Sequence, residues 1–275
     1  DGECANPHDL LGVHRLSLEG REGLVVRGFH PGAKAMACLV EGGGPQPMSP
    51  IDPAGLFAVF LPGRVFPLRY ELEIFPESGA AFRRRDPFCF LPTVGELDQH
   101  LLGEGRHYRL FERLGAHPRA IDGIEGTSFA LWAPNARRVS VVGSFNDWDG
   151  RVHPMRSMGA SGIWEIFVPG VGRGELYKFE LKTGAGDLRL KTDPLAFAME
   201  LRPKNASVVW GLPHYDWQDN EYLEARRDRD HRRSPLAIYE VHLGSWMRGA
   251  SEGGRWLSYR EIAPRLVEHV KAHGF

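Results

Sequence analysis

Cysteine is scarce. The chain has three in 275 residues, Cys4, Cys38 and Cys89, widely spaced and odd in number. There is no Cys-x-x-Cys pair and no Cys/His spacing of the metal-binding kind, so neither a disulfide framework nor a metal site is expected. The three read as small apolar side chains in a reducing compartment, and a cytoplasmic setting is expected. An excess of one charge is also missing: Lys plus Arg is 34, Asp plus Glu is 35, and the net charge is −1. Nothing there draws the protein to nucleic acid or to an anionic membrane. No apolar run approaches the roughly 20 residues of a membrane span. The stretch from Asp1 to Leu10 lacks the basic and apolar regions of a secretory signal, and without a starting Met it reads as trimmed.

Glycine (33) and proline (20) are plentiful, which implies many short turns and many strands. They also mark an internal repeat. The stretch His30-Pro31-Gly32-Ala33, followed by a small/apolar run to Leu39, matches Ala133-Pro134-Asn135-Ala136 followed by a run to Val142, at an offset of 103. Gly55 to Gly63 matches Gly162 to Gly170 at an offset of 107, which persists for Tyr70-Glu71-Leu72-Glu73 against Tyr177-Lys178-Phe179-Glu180 and for Asp86-Pro87 against Asp193-Pro194. One module is used twice. The second copy carries four extra residues between Gly143 and Met155. Each copy alternates apolar and polar residues in short runs at regular turn spacing, the pattern of an antiparallel β-sandwich of the immunoglobulin-like kind.

These patterns divide the chain into a first sandwich (1–95), a linker with broken helical turns (96–120), a second sandwich (121–220), and a connector followed by a strand and a helix (221–275). The mixed-sign run Arg226 to Arg233 is an anion site or a solvated connector, and interleaved signs favour the connector. Leu236 to Leu243 reads as an apolar strand. Ser258 and Glu261 have capping-box spacing before a helical stripe of Ile262, Leu266, Val267 and Val270. Pro264 moves the expected helix start toward Ala263, and Gly274 reads as its stop. One β–α unit cannot bury its own faces, and a (β/α)8 barrel needs about 250 residues. The fold class is therefore mainly β: two tandem sandwiches followed by the first unit of a barrel cut short.

Several segments carry a resemblance to a known family: Gly95-Glu96-Leu97-Asp98, Leu114-Gly115-Ala116-His117-Pro118, Phe129 to Ala136, Gly143-Ser144-Phe145-Asn146-Asp147-Trp148-Asp149-Gly150, Tyr177-Lys178-Phe179-Glu180, and Ile238 to Trp246. In this order they resemble bacterial 1,4-α-glucan (glycogen) branching enzymes. The resemblance implies two N-terminal sandwich modules, the second of the glycogen-binding kind, before a catalytic barrel of glycoside hydrolase family 13. It implies α-glucan and the remaining barrel as partners, a monomer, and no cofactor. A debranching or trehalose-forming relative shares Trp132 and the Asn146-Asp147-Trp148 loop. A non-catalytic glycogen-targeting adaptor is the reading from another class, and the strand and capped helix after Pro235 argue against it.

A glucan offers flat apolar sugar faces edged by hydroxyls, so a binding surface needs an aromatic ring and hydrogen-bonding groups at its rim. Trp148 lies on the inserted loop, and a Trp between acidic residues on a turn has little to bury against. Lys178 points away from Tyr177 and Phe179, and is otherwise an ordinary exposed strand residue. In related modules, residues at the positions of Trp148, Lys178 and Asn205 contact the sugar. Asn146 and Trp164 complete the candidate set, although Trp164 opens an alternating apolar strand and reads as core rather than as a sugar platform, and Trp132 also reads as core. A second family Trp after the Lys strand is absent, with Gly186-Asp187-Leu188-Arg189 in its place. The first copy has no insertion, and has Phe57 and Glu71 where the second has Trp164 and Lys178. It is expected to be a structural spacer. The family reaction needs two carboxyl groups about 5 Å apart. No family catalytic motif occurs here, and Tyr239, Glu240 and His242 read as architecture.

Overall fold

In the computed structural model, described for residues 4, 6–212, 215–230, 232–250 and 253–275, the chain forms two compact units, Asp1–Pro213 and His214–Phe275. His231, within the mixed-charge run, lies outside the described residues.

The first unit holds both sandwiches. In the first, β1 (Gly12–Leu18), β2 (Arg21–Phe29), β3 (Ala33–Val40), β4 (Pro45–Pro47), β5 (Ser49–Asp52), β6 (Leu56–Pro62), β7 (Tyr70–Pro76) and β8 (Phe82–Arg85) make two sheets, ordered β1-β2-β6-β5 and β4-β3-β7-β8. Val26, Met36, Cys38, Leu72 and Ile74 fill the space between them. In the second, β9 (Gly115–Ile121), β10 (Ile124–Trp132), β11 (Arg138–Gly143), β12 (Arg156–Ser157), β13 (Ile163–Pro169), β14 (Leu176–Lys182), β15 (Leu188–Lys191), β16 (Ala198–Met199) and β17 (Ser207–Val208) give the sheets β12-β13-β10-β9 and β11-β14-β17-β16, with β15 also on β14. All the pairings among the described residues are antiparallel; β1-β2-β6-β5 corresponds strand for strand to β9-β10-β13-β12, and β3-β7-β8 to β11-β14-β15, while β4, β16 and β17 have no counterpart in the other copy.

The repeat is physical as well as textual. The Tyr70 hydroxyl donates to Asp86 at 2.6 Å and the Tyr177 hydroxyl to Asp193 at 2.5 Å, both pairs buried and both offset by 107. Burial raises the pKa of both carboxyls, and each is held by its Tyr and by a backbone N–H two residues on. His14 and His117 each bond the carbonyl three residues back, at 2.9 Å. Gly12 and Gly115 turn the chain at positive φ, where a side chain is strained.

The core of the second sandwich takes in side chains from the first. Leu11, Phe88, Phe29 and Leu56 from the first copy pack with Phe129, Trp164, Ile166 and Phe179 of the second. The second sandwich also begins earlier than the sequence pattern suggests, since β9 starts at Gly115. The helix α1 (Glu96–Gly103) ends where Gly103 and Gly105 break the pattern. The segment around it is not a loose spacer: Val94, Leu102, Leu110 and Leu114 cover Ala130 and Ile163 on the outer face of β10 and β13. Cys38 is buried and Cys89 half-buried, both as free thiols, and burial pushes both pKa values up to about 12.

In the second unit the expected strand is not formed. Among the described residues Leu236 to His242 has no sheet partner, and Leu236 and Ile238 are exposed; a parallel strand is stable only when neighbouring strands bond it. The expected connector is instead partly helical: α2 (Asn220–Asp228) is exposed all round. After the short α3 (Leu243–Trp246) comes α4 (Tyr259–Ala272). Its capping box forms as expected, with Ser258 N–H donating to Glu261 at 2.8 Å. It does not start near Ala263 but runs through Pro264, and buries Ile262. Gly274 ends it at φ 77.

Candidate functional site

The four-residue insertion becomes a tight loop after β11. Residues Ser144–Asn146 form one 3-10 turn, and Asp147 (φ 53) and Trp148 (φ 59) follow in the left-handed region. Two consecutive non-glycine residues there are strained, and such strain persists only where its surroundings hold it. Asn146 does the holding. Its Oδ1 accepts from Gly143 N–H at 2.8 Å, and its Nδ2 donates to Val141 O at 2.9 Å and approaches His153 Nδ1 at 2.9 Å. His153 is buried, and burial followed by the nearby Arg84 and His30 holds its pKa well below the usual histidine value. A neutral ring lets Nδ1 accept from Asn146. The Trp148 N–H bonds Gly143 O at 3.1 Å.

The candidate residues therefore separate. Asn146 is buried and its amide is used up inside the loop, so it supports the surface rather than forming it. Trp164 is likewise withdrawn: it is buried in the core and its indole donates to Ala133 O at 3.0 Å. Period two explains the placement, since Trp164, Ile166 and Val168 share the inner face of β13. Trp132 reverses its expectation. It falls on the same outer face of β10 as Ala130, beyond the cover of the linker, and is 53% exposed.

Two candidates, Lys178 and Asn205, meet directly, and Trp148 lies on the loop that leaves the strand next to that of Lys178. Trp148 is 40% exposed. Its backbone is tied to Gly143, which pairs with Tyr177, the neighbour of Lys178 on β14. Lys178 faces outward while Tyr177 and Phe179 are fully buried. Its ammonium donates to Asn205 Oδ1 at 2.6 Å. Asn205 is itself pinned, because its carbonyl accepts from Thr192 Oγ1 at 2.8 Å. Among the described residues the pair keeps two ammonium N–H groups and an amide NH2 to donate to hydroxyls.

The sequence pattern missed the apolar neighbours of this pair. Leu190 and Leu188 on β15 pair with Glu180 and Lys182, hence share the outer face with Lys178, and are 58% and 57% exposed. They lie in the stretch that lacks the second Trp. The alternation Leu-Arg-Leu-Lys was the available signal. The loop also crowds this face: a Cβ on Gly150 would lie 2.2 Å from Glu180 Oε1, and Glu180 is fixed by Arg138. Among the described residues no group of three or more His, Cys, Asp or Glu could hold a metal, and no helix is long and apolar enough to cross a membrane.

The two sandwiches match known families separately. Residues 1–88 match the family described as alpha-1,4-glucan branching enzyme GlgB, N-terminal domain, and residues 113–196 match carbohydrate-binding module 48 (isoamylase N-terminal domain). Proteins named 1,4-alpha-glucan branching enzyme GlgB from Myxococcus xanthus and Rhodospirillum rubrum are 49% and 47% identical over 98% of this chain. One from Cellvibrio japonicus is 43% identical over 98% of it. The chain spans 36% to 37% of the length of these relatives.

Proposed function

We propose that the protein to which this chain belongs is a 1,4-α-glucan branching enzyme, and that the second sandwich holds α-glucan for it. The reading of the whole protein rests on the matches across both sandwiches. The binding reading is carried by one observation: an exposed Trp148 on a strained and internally braced loop, which leaves the strand paired with the one that bears the Lys178–Asn205 pair.

A sugar ring stacks on the indole, Leu188 and Leu190 extend the apolar area, and the Lys178 and Asn205 donors meet ring hydroxyls. The first sandwich, with Phe57 buried and Glu71 where the second has Lys178, supports its neighbour and by itself has little affinity. The setting is cytoplasmic and the protein a monomer.

The test is co-sedimentation of the 275-residue chain with glycogen. Trp148→Ala and Lys178→Ala each weaken binding, the first by about tenfold, the effect of losing a well-placed aromatic contact worth about 1.4 kcal/mol. Unchanged binding by both variants places the sugar surface elsewhere. Binding by residues 1–95 as tight as that of the second sandwich would remove the spacer role from the first.

A further inference from the structure

We propose that the cleft between the two sandwiches is a second oligosaccharide site, built jointly by the first module and the inserted loop. It rests on the reading above only for the identity of its sugar as α-glucan. The cleft has a volume of about 480 Å³, within the roughly 300–1,000 Å³ of small-ligand sites. His30, Phe82 and Arg84 of the first module line one side, and Phe145, Asp147 and Asp149 of the insertion line the other. Neither module makes it alone.

Its chemistry selects a neutral, hydroxyl-rich ligand. Phe82 is 40% exposed and meets His30 edge-on, with ring centroids 5.5 Å apart, so it offers an apolar surface that does not move freely. Arg84 is anchored by donating to Phe29 O at 3.0 Å. Asp147 makes no hydrogen bond or ion pair among the described residues, whereas Asp149 is held by Arg151 at 2.6 Å. His30 adds no charge at neutral pH, because burial and then Arg84 lower its pKa. Arg85 also borders the cleft but donates Nη1 to Tyr70 O. An anion such as phosphate would meet the Asp147 carboxylate, and a divalent cation would meet the two guanidinium groups. A sugar uses both walls at once, with hydroxyls donating to Asp147 and accepting from the arginines while an apolar ring face lies on Phe82.

The location adds to this. Asp147 and Asp149 flank Trp148 at the strained tip and line the cleft, whereas Trp148 does not line it. This gives the strain a use: it turns the two acidic neighbours into the cleft and leaves Trp148 outside it.

The experiment is calorimetric titration of the 275-residue chain with maltotetraose, with the His30 imidazole resonances followed in parallel by NMR. Two classes of site are expected. Phe82→Ala weakens one at least fivefold, and Trp148→Ala weakens the other. In the unsubstituted chain His30 shifts with maltotetraose and not with inorganic phosphate or Mg²⁺, a readout independent of whether any variant folds. A silent His30, a shift with phosphate or Mg²⁺ instead, or a Phe82→Ala titration identical to that of the unsubstituted chain overturns the cleft site. If Phe82→Ala weakens binding and Trp148→Ala does not, the cleft stands and the Trp148 surface fails.

Discussion

Replacing Glu165 separates the join between the sandwiches from the sandwiches themselves. Arg156 and Glu165 are paired residues on β12 and β13, and the corresponding register pair in the first copy is Ser49 and Ala58. The second copy thus carries a buried ion pair where the first has two small side chains. Arg156 Nε donates to Glu165 at 2.5 Å, and Glu165 has no solvent exposure. Its other carboxylate oxygen accepts from Thr93 N–H and Thr93 Oγ1, both at 2.7 Å, and from Val94 N–H at 3.3 Å. Arg156 Nη2 donates to Phe90 O at 3.0 Å. Glu165 therefore ties the inter-module segment to the second sandwich. Glu165→Ala strands a buried guanidinium and two backbone N–H groups, and breaking such a pair costs about 3–5 kcal/mol. At about 2–4 °C per kcal/mol for a unit of this size, the unfolding midpoint falls by roughly 6–20 °C. The assay is calorimetric unfolding of Glu165→Ala, Arg156→Ala and the double variant. The double variant is expected to be clearly less destabilised than the two single losses added, since neither charge is then left unpaired. A loss below about 1 kcal/mol for Glu165→Ala, or simple additivity, refutes the reasoning.

Gly143→Ala forces a Cβ to 2.1 Å from Leu176 O. It should cost about 1–3 kcal/mol, as overpacking does, and also weaken glycogen co-sedimentation, because Gly143 anchors the Trp148 loop; a stable variant with full binding contradicts this. Stability should fall on acidification. The His8 pKa is lowered to about 3, by burial and then by Arg156, so the folded state holds fewer protons than the unfolded one below the ordinary pKa of 6.5, and stability is lost as pH drops below that value. From pH 7.5 to 5 the loss for His8 is about 2 kcal/mol. His153, His30 and His117 share the direction, while the raised Asp86 and Asp193 act the opposite way at lower pH. Urea unfolding at pH 7.5 and 5.0 checks this, and His8→Gln should reduce the difference; equal stability at both pH values would falsify it. Incubated with linear α-1,4-glucan, the 275-residue chain should form no new α-1,6 linkages, since it contains no family catalytic motif; their appearance would reassign catalysis to residues within it.

Strand-scale structure was legible in the sequence wherever a local rule acted. Offsets of 103 and 107 located the repeated strands and aligned Tyr70 with Tyr177 and Asp86 with Asp193, because antiparallel pairing and turn chemistry depend on spacing along the chain; the hydrogen bond from each Tyr to its Asp emerged only in the fold. The Ser258–Glu261 cap and the Gly274 stop followed from residue type alone. The strand expected at Leu236 to Leu243 failed because its stability comes from neighbouring strands, which no local pattern supplies. Trp132 and Trp164 were indistinct for a related reason. Both sit on strands with apolar neighbours, and exposure depends on whether another segment lies over that face.

The sequence by itself determined two tandem sandwiches, the insertion, and the outward Lys178, since alternation on a strand sets which side chains share a face. Only the tertiary structure decided what each face meets. It buried Asn146 as the brace of its loop, drew Trp164 inside, brought Asn205 to Lys178 from 27 residues away, and packed Leu11 and Phe88 of the first copy into the core of the second. It also gave the pair Arg156–Glu165 a purpose that their position in the repeat does not disclose. These outcomes depend on contacts between segments far apart in the chain, where burial and unmet hydrogen bonds, rather than local spacing, set the energy.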